Sequence, residues 1–446
     1  MKSAACFVAL LLPLFFISAC GSGGSSSTNP PPTGSFTLKP SVSTLSIAQG
    51  SNGTVTITIT DVSPFAGSVN LAATGLPTGV TASFATNPAA SASVLTLTAS
   101  SSATAGSSTV TITGTASSLS ASTTIALTVT TSASQIPTTW SWTSTGPLIS
   151  PASDSHDIIA VKDPSTVYYN GQYLVYASTV NSSGDYGMEY VHFADWSDAP
   201  AASASPYYLD YLGGTAPQVF YFAPQNKWYL IYQWTPQFST NSDPTQPQNW
   251  TTPQNFYASK PSNISAWLDF WIICDSGNCY LFFCDDGGHF WEASTPIGDF
   301  PNGFGTPVLA YSEANQNNLF EADNVYTVKQ TGTYLADVEC IGGPDGHRFF
   351  RALTATSLAG PWTPLGNTLN FDTPFLGTEN ITAWTNGSQW TDDISSGGGV
   401  ITGGDQTDTI DLNNFTFLYQ GDAPNNGASN YNAIPWQLGL ATSNSN

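Results

Sequence analysis

Three carboxylates, Asp163, Asp269 and Glu321, each stand about a dozen residues ahead of a tyrosine-leucine pair, at Tyr173-Leu174, Tyr280-Leu281 and Tyr334-Leu335. A fourth pair, Tyr229-Leu230, has Gln218 at the corresponding place. Acids carried at one position of a repeated unit are brought to one rim of the assembly, and a ring of carboxylates suits the hydrolysis of a glycosidic bond. That reaction needs a proton donor for the leaving oxygen and a carboxylate that activates water or attacks directly, flanking the anomeric carbon. Close carboxylates cannot all ionise easily, so repulsion is expected to leave one protonated beside an ionised base. Lys162 adjoins Asp163 in a chain with only 8 Lys plus Arg. It is placed to pair with the acids or to donate to a sugar hydroxyl, and a solvated lysine is the plainer reading. Trp267, Phe270, Trp271 and Trp384 are candidates for the apolar walls of a sugar pocket, although each taken singly also fits a core.

The unit that carries these residues reads as a hairpin. Asp163 opens the run Asp163-Pro164-Ser165-Thr166-Val167-Tyr168-Tyr169, an Asn170-Gly171 turn follows, and Tyr173-Leu174-Val175-Tyr176 returns. The same plan recurs from Ala216, Asp269 and Glu321. The tyrosines repeat at intervals of 56, 51 and 54 residues with no helical periodicity, in the range of a β-propeller blade. A less regular fifth unit joins Gly399-Val400-Ile401-Thr402 to Phe415-Thr416-Phe417-Leu418-Tyr419. Together these predict a five-bladed β-propeller over residues 139–446, with a sandwich or jelly roll as the alternative.

Residues 36–131 have a different composition, with no Trp, Tyr or Cys, one Lys and one Asp. Runs such as Thr54-Val55-Thr56-Ile57-Thr58-Ile59-Thr60 alternate apolar residues with threonine at period two. An all-β chain is expected: an antiparallel Ig-like β-sandwich over 36–131, acting as a spacer, then a linker at 132–138, then the propeller. Ahead of them, residues 1–19 read as a lipoprotein signal peptide ending in Ile17-Ser18-Ala19-Cys20, with Cys20 as the lipidated residue and 20–35 as a Gly/Ser/Pro tether. An ordinary signal peptide with a chance cysteine is the alternative. The expected location is therefore the surface or outer membrane of a bacterium, with membrane contact only through Cys20. A net charge of -22 disfavours a nucleic-acid or anionic-membrane surface and suits a neutral polysaccharide partner. Cys274, Cys279, Cys284 and Cys340 allow one or two disulfides in an exported chain, with buried thiols as the alternative. His156, His192, His289 and His347 form no ligand pattern, so no catalytic zinc is expected.

Over about residues 139–442 the chain resembles glycoside hydrolase family 62, secreted α-L-arabinofuranosidases that remove arabinose side chains from arabinoxylan. The resemblance is carried by Lys162-Asp163-Pro164-Ser165-Thr166-Val167-Tyr168-Tyr169-Asn170-Gly171, Ala216-Pro217-Gln218-Val219-Phe220-Tyr221-Phe222, Leu268-Asp269-Phe270-Trp271-Ile272-Ile273-Cys274, Leu319-Phe320-Glu321-Ala322 and Phe417-Leu418-Tyr419-Gln420-Gly421. It implies a five-bladed propeller that inverts anomeric configuration, with Asp163 as general base, Glu321 as general acid, and Asp269 tuning the pKa of the acid and orienting the sugar. Lys162 would contact the arabinose, and Gln218 is a further candidate substrate contact. The chain departs from the family where a Ser-His-Gly-Glu stretch is usual: Ser396 stands for the histidine associated with a central calcium site, and Gly398 for the glutamate. Gly404 replaces a usual tyrosine, Gly214 an arginine, and Phe270 a methionine. No cofactor is expected to be required, and structural calcium is called into question by Ser396. The expected activity is that of an inverting α-L-arabinofuranosidase acting on arabinoxylan or arabinan, and a monomer is expected. An arabinanase or xylosidase, or a noncatalytic carbohydrate-binding protein, is the alternative.

Overall fold

The computed structural model describes residues 34–444, apart from 64, 101–102, 131–135, 344–345, 386 and 425. The expected signal segment, Cys20 and most of the expected tether lie outside the described residues. The chain divides into two compact units, Met1–Ser132 and Ala133–Asn446.

The first unit is built from period-two alternation. In strand Asn52–Val62, Val55, Ile57 and Ile59 are buried while Thr54, Thr56, Thr58 and Thr60 face solvent, because successive side chains on a strand point to opposite faces. Two four-stranded sheets enclose one core. One holds Ser35–Pro40, Asn52–Val62, Ala92–Ala99 and Val80–Phe84; the other holds Thr44–Ala48, Leu119–Thr130, Gly106–Ala116 and Asn70–Thr74. The expected sandwich was wholly antiparallel, and here the structure differs: Thr44–Ala48 runs parallel to Leu119–Thr130.

In the second unit the described residues form five sheets of four or five strands. Each begins with a strand that packs beside the first strand of the next sheet: Ile158–Tyr169, Thr215–Phe222, Leu268–Cys274, Glu321–Val328 and Ser395–Gly399. The last of these also meets Ile158–Tyr169, so the five strands neighbour one another in cyclic order. The fifth unit thus starts at Ser395, ahead of the expected Gly399, and Ile401–Thr402 pairs instead with the first sheet. The second strand of four sheets carries the tyrosine-leucine pair, and Leu174, Leu230, Leu281 and Leu335 are fully buried. In the fifth sheet Trp142–Ser144 lies between Ile381–Trp384 and Gln437–Ser443, so the two ends of the unit share one sheet. Cys274 and Cys279 form a disulfide across the turn of the third sheet, and Cys284 and Cys340 are buried thiols.

One buried acid belongs to no obvious site. Glu189, on strand Tyr186–Phe193, is 1% exposed, and neither of its carboxylate oxygens has a hydrogen-bond partner among the described residues. Burial, assisted by the charge of Asp154, pushes its pKa from 4.5 up to about 8. The folded chain therefore holds a proton that the unfolded chain releases. The associated stability is fully present below pH 4.5 and is lost as pH rises through about 8. Thermal unfolding followed from pH 5 to 9 is expected to show falling stability, with a slope of up to about 1.4 kcal/mol per pH unit from this group. Glu189→Gln should flatten that part of the slope, and an unaltered slope would remove Glu189 as its source.

Candidate active site

All five first strands slip register, the fifth between Ser395 and Gly397 and the other four at one shared place. Lys162 pairs with Ser178 but Ser165 with Tyr176; Thr215 with Gln233 but Gln218 with Ile231; Leu268 with Cys284 but Trp271 with Phe282; Glu321 with Glu339 but Asn324 with Asp337. Two residues thus oppose one, a β-bulge, at Asp163-Pro164, Ala216-Pro217, Asp269-Phe270 and Ala322-Asp323. Asp163, Ala216 and Asp269 adopt left-handed φ values of 47°, 48° and 54°, a region that aspartate enters more readily than most residues with a Cβ.

This register corrects the expectation that one strand position carries all three acids. Asp163 and Asp269 open their bulges, whereas Glu321 stands one residue earlier, level with Lys162. The turn between Val328 and Tyr334 is longer than Asn170-Gly171, which hides the one-residue offset when residues are counted back from the tyrosine. Gln218 is level with Ser165, Trp271 and Asn324 rather than with the acids.

The bulges fasten each sheet to its neighbours. The amide N–H of Asp163 donates to Gln420 Oε1 at 3.0 Å, that of Ala216 to Ser178 Oγ at 2.7 Å, that of Asp269 to Gln233 Oε1 at 2.7 Å and that of Ser396 to Glu339 Oε2 at 2.6 Å. Each acceptor lies on the second strand of the preceding sheet, opposite the residue before that sheet's own register slip. Just beyond the bulge the bonds run forward. Trp271 Nε1 donates to the Val325 carbonyl, and Asn324 Nδ2 to the Gly397 carbonyl.

Gln218 belongs to this forward set. It is 1% exposed; its Nε2 donates to the Ile272 carbonyl and to Asp408 Oδ2, and its Oε1 accepts from Ile272 N–H. Its candidacy as a substrate contact is therefore corrected: its polar atoms are spent on Ile272 of the third sheet and on Asp408. Trp384 is corrected too, since it lies on the outermost strand of the fifth sheet, packed against the main core. Trp267 is half-buried against Tyr257, Phe270 and Phe283.

At the bulged ends lies a small pocket lined by Asp163, Asp269, Phe270, Trp271, Asn324 and Ser396, among others. The structure thus brings together two of the three acids and two of the four aromatics. Glu321 belongs to the same charged cluster through Arg348, whose Nη1 contacts both Glu321 Oε1 and Glu339 Oε1. Lys162, 4% exposed, donates to the Tyr431 hydroxyl at 2.7 Å and lies 3.8 Å from Asp163 Oδ1. Burial opposes the Lys162 charge, but Asp163, Tyr431 and Tyr186 outweigh it and hold its pKa above the ordinary value. Burial raises the pKa of Glu321, and the Glu339 carboxylate raises it further against the opposing pull of Arg348. The repulsion expected among the three acids therefore reaches Glu321 chiefly from a fourth. Glu339, Gln420 and Tyr431 were not singled out by their sequence. The visible signal was slight: Asp337 and Glu339 are the acids in an otherwise apolar run, Leu335-Ala336-Asp337-Val338-Glu339-Cys340.

Among the described residues no group of three or more His, Cys, Asp or Glu side chains is arranged to hold a metal ion. Calcium does not fit at Ser396 and Gly398: the Ser396 amide and hydroxyl both approach Glu339 Oε2, at 2.6 and 3.3 Å, and Gly398 offers no side-chain oxygen.

Residues 141–442 match glycosyl hydrolase family 62, and the chain belongs to that family. It is 43% identical over 303 residues to alpha-L-arabinofuranosidase C of Cellvibrio japonicus, a match spanning 67% of this chain and 46% of the relative's length. Among solved structures, the catalytic domain of a Coprinopsis cinerea α-L-arabinofuranosidase of family 62 is 45% identical, with a TM-score of 0.66 over 69% of this chain and 98% of that one. A family 62 hydrolase in complex with xylotriose is 40% identical, with a TM-score of 0.64 over 68% of this chain and 98% of its own.

Gln218→Leu is expected to lower stability by about 1–3 kcal/mol, since it leaves the Ile272 amide and carbonyl unpaired in the interior, while KM for an arabinofuranoside stays close to wild type. Calorimetry alongside steady-state kinetics checks this. A raised KM with an unchanged melting temperature would return Gln218 to the sugar.

Proposed function

We propose that this chain is an inverting α-L-arabinofuranosidase that removes arabinofuranosyl side chains from arabinoxylan or arabinan. The observation that carries the reading is the set of bulges that bring Asp163 and Asp269 to one small pocket, with Glu321 in the adjoining charged cluster, in a chain of family 62. Glu321 gives its proton to the departing glycosidic oxygen. Asp163 takes a proton from the water that attacks the anomeric carbon on the opposite face, and the configuration inverts. Asp269 orients the sugar, and the buried ammonium of Lys162 donates to a sugar hydroxyl or to the base beside it.

The five sheets are read as the blades of a five-bladed β-propeller and the first unit as an Ig-like spacer. The leader and Cys20 are read as export and lipid attachment at a bacterial surface, with the catalytic unit acting as a monomer. The xylotriose bound by a relative supports a xylan main chain as the polymer. A shifted preference is favoured by Gly214, where a Cβ would lie 2.3 Å from the Tyr232 ring, so the long side chain usual in the family has no room without rearrangement.

Glu321→Gln should lower turnover on arabinoxylan by roughly 10²- to 10⁴-fold, the contribution typical of a general acid, while arabinose binding by calorimetry survives. An unchanged rate would remove Glu321 from the role. With the wild-type chain, NMR of the first-formed product should show arabinose as the β-anomer; initial α-arabinose would mean retention, and oligosaccharides would mean a chain-cutting enzyme.

A further inference from the structure

Glu339 occupies a position that the fold fills elsewhere with neutral acceptors. Ser178, Gln233 and Gln420 each sit at the equivalent point of a second strand and each accepts the bulge amide of the next sheet. Glu339 performs the same task for Ser396. A neutral glutamine would suffice for that bond, as it does at Gln233 and Gln420, so the fastening does not explain a charge. The charge is also costly to bury, because Glu339 is 0% exposed and paired by register with another carboxylate, Glu321.

The two carboxylates differ in their donors. Glu339 accepts from Ser395 Oγ at 2.9 Å, from Ser396 N–H at 2.6 Å and from Ser396 Oγ at 3.3 Å, besides Arg348. Among the described residues, Glu321 accepts one hydrogen bond, from Arg348. Donors favour the ionised form of a carboxylate. One guanidinium between two buried carboxylates leaves the cluster one charge short of balance, and a single proton restores it. That proton settles on the acid with fewer donors.

We propose that Glu339 is a positioning residue that, through the guanidinium it shares with Glu321, keeps the reactive proton on Glu321 until the leaving oxygen takes it. After transfer, Arg348 stabilises the new Glu321 carboxylate. This rests on Glu321 being the general acid. The charged or titratable groups facing Glu321 are Glu339, Arg348, Lys162, Asp286, Tyr186 and Tyr431. Glu339 faces Arg348, Glu321 and Asp337. None of the others shares a nitrogen with Glu321 as Glu339 does.

The test is the pH profile of kcat/KM for the full chain on arabinoxylan and on 4-nitrophenyl α-L-arabinofuranoside, whose leaving group needs little protonation. In Glu339→Gln, Arg348 serves Glu321 alone, the ionised form gains, and the alkaline limb on arabinoxylan should move down by about one pH unit or more. Activity at neutral pH should fall about tenfold on the polymer and less on the activated substrate, and Glu339→Asp, which keeps the charge, should leave the limb near its original place. An alkaline limb that stays put in Glu339→Gln overturns the proposal. Glu321→Gln separates the two readings: equal losses on both substrates would sink the general acid itself, whereas a loss confined to the polymer upholds the acid whatever Glu339→Gln does. Should Glu339→Gln not fold, infrared spectra at pH 7 decide. A protonated-carboxyl signal, beyond that of Glu189, that is weaker in Glu321→Gln than in the wild type supports the proposal, and a signal of equal strength in both overturns it.

Discussion

A β-bulge leaves a backbone N–H that its own sheet cannot use, and a buried amide must find an acceptor. In this chain the acceptor comes from the preceding sheet each time it is seen: Gln420 for Asp163, Ser178 for Ala216, Gln233 for Asp269 and Glu339 for Ser396. The same irregularity therefore turns Asp163 and Asp269 toward the pocket and ties their sheet to its neighbour. Catalytic geometry and sheet association depend on one set of bonds, which leaves little freedom to alter one without the other.

That dependence extends across the candidate site. Asp163 N–H reaches Gln420, Gln420 Nε2 reaches Ser395 Oγ, Ser395 Oγ reaches Glu339, and Arg348 joins Glu339 to Glu321. The proposed base and acid thus stand at the two ends of a continuous hydrogen-bonded chain through the interior. Such a network holds both carboxyl groups in place when every member is satisfied. It also explains why so acidic a chain keeps Arg348 here: a planar guanidinium can serve two carboxylates at once, which a lysine ammonium does less well.

Much of this was legible in the sequence because it repeats. Turn-flanked hairpins with a buried leucine, as at Leu174 and Leu230, gave the strand pairs, and Thr-Val-Thr-Ile alternation gave the first unit's sheets. The residues Asp163, Asp269 and Glu321 were visible as acids ahead of each tyrosine, yet their alignment slipped by one at Glu321. A bulge adds a residue without changing residue type, and a longer turn compensates in the count. Gln218 looked like a member of the acid ring for the same reason. Gln420 and Tyr431 were hidden by distance: Gln420 reaches Asp163 across a sheet boundary, and Tyr431 meets Lys162 over 269 residues of chain. Glu339 was hidden by register, since only the strand pairing sets it opposite Glu321.

The fifth sheet has a bearing on how the protein is made. Trp142–Ser144, among the earliest residues of its unit, pairs with Gln437–Ser443, among the last. During synthesis the early sheets emerge with their hairpins complete, but the ring they belong to stays open until the final strand leaves the ribosome. Asp163 is exposed early, yet the acceptor of its bulge amide, Gln420, is translated nearly at the end. The nascent chain can therefore collect its strands in order, while its chemistry is assembled only when the last of them joins.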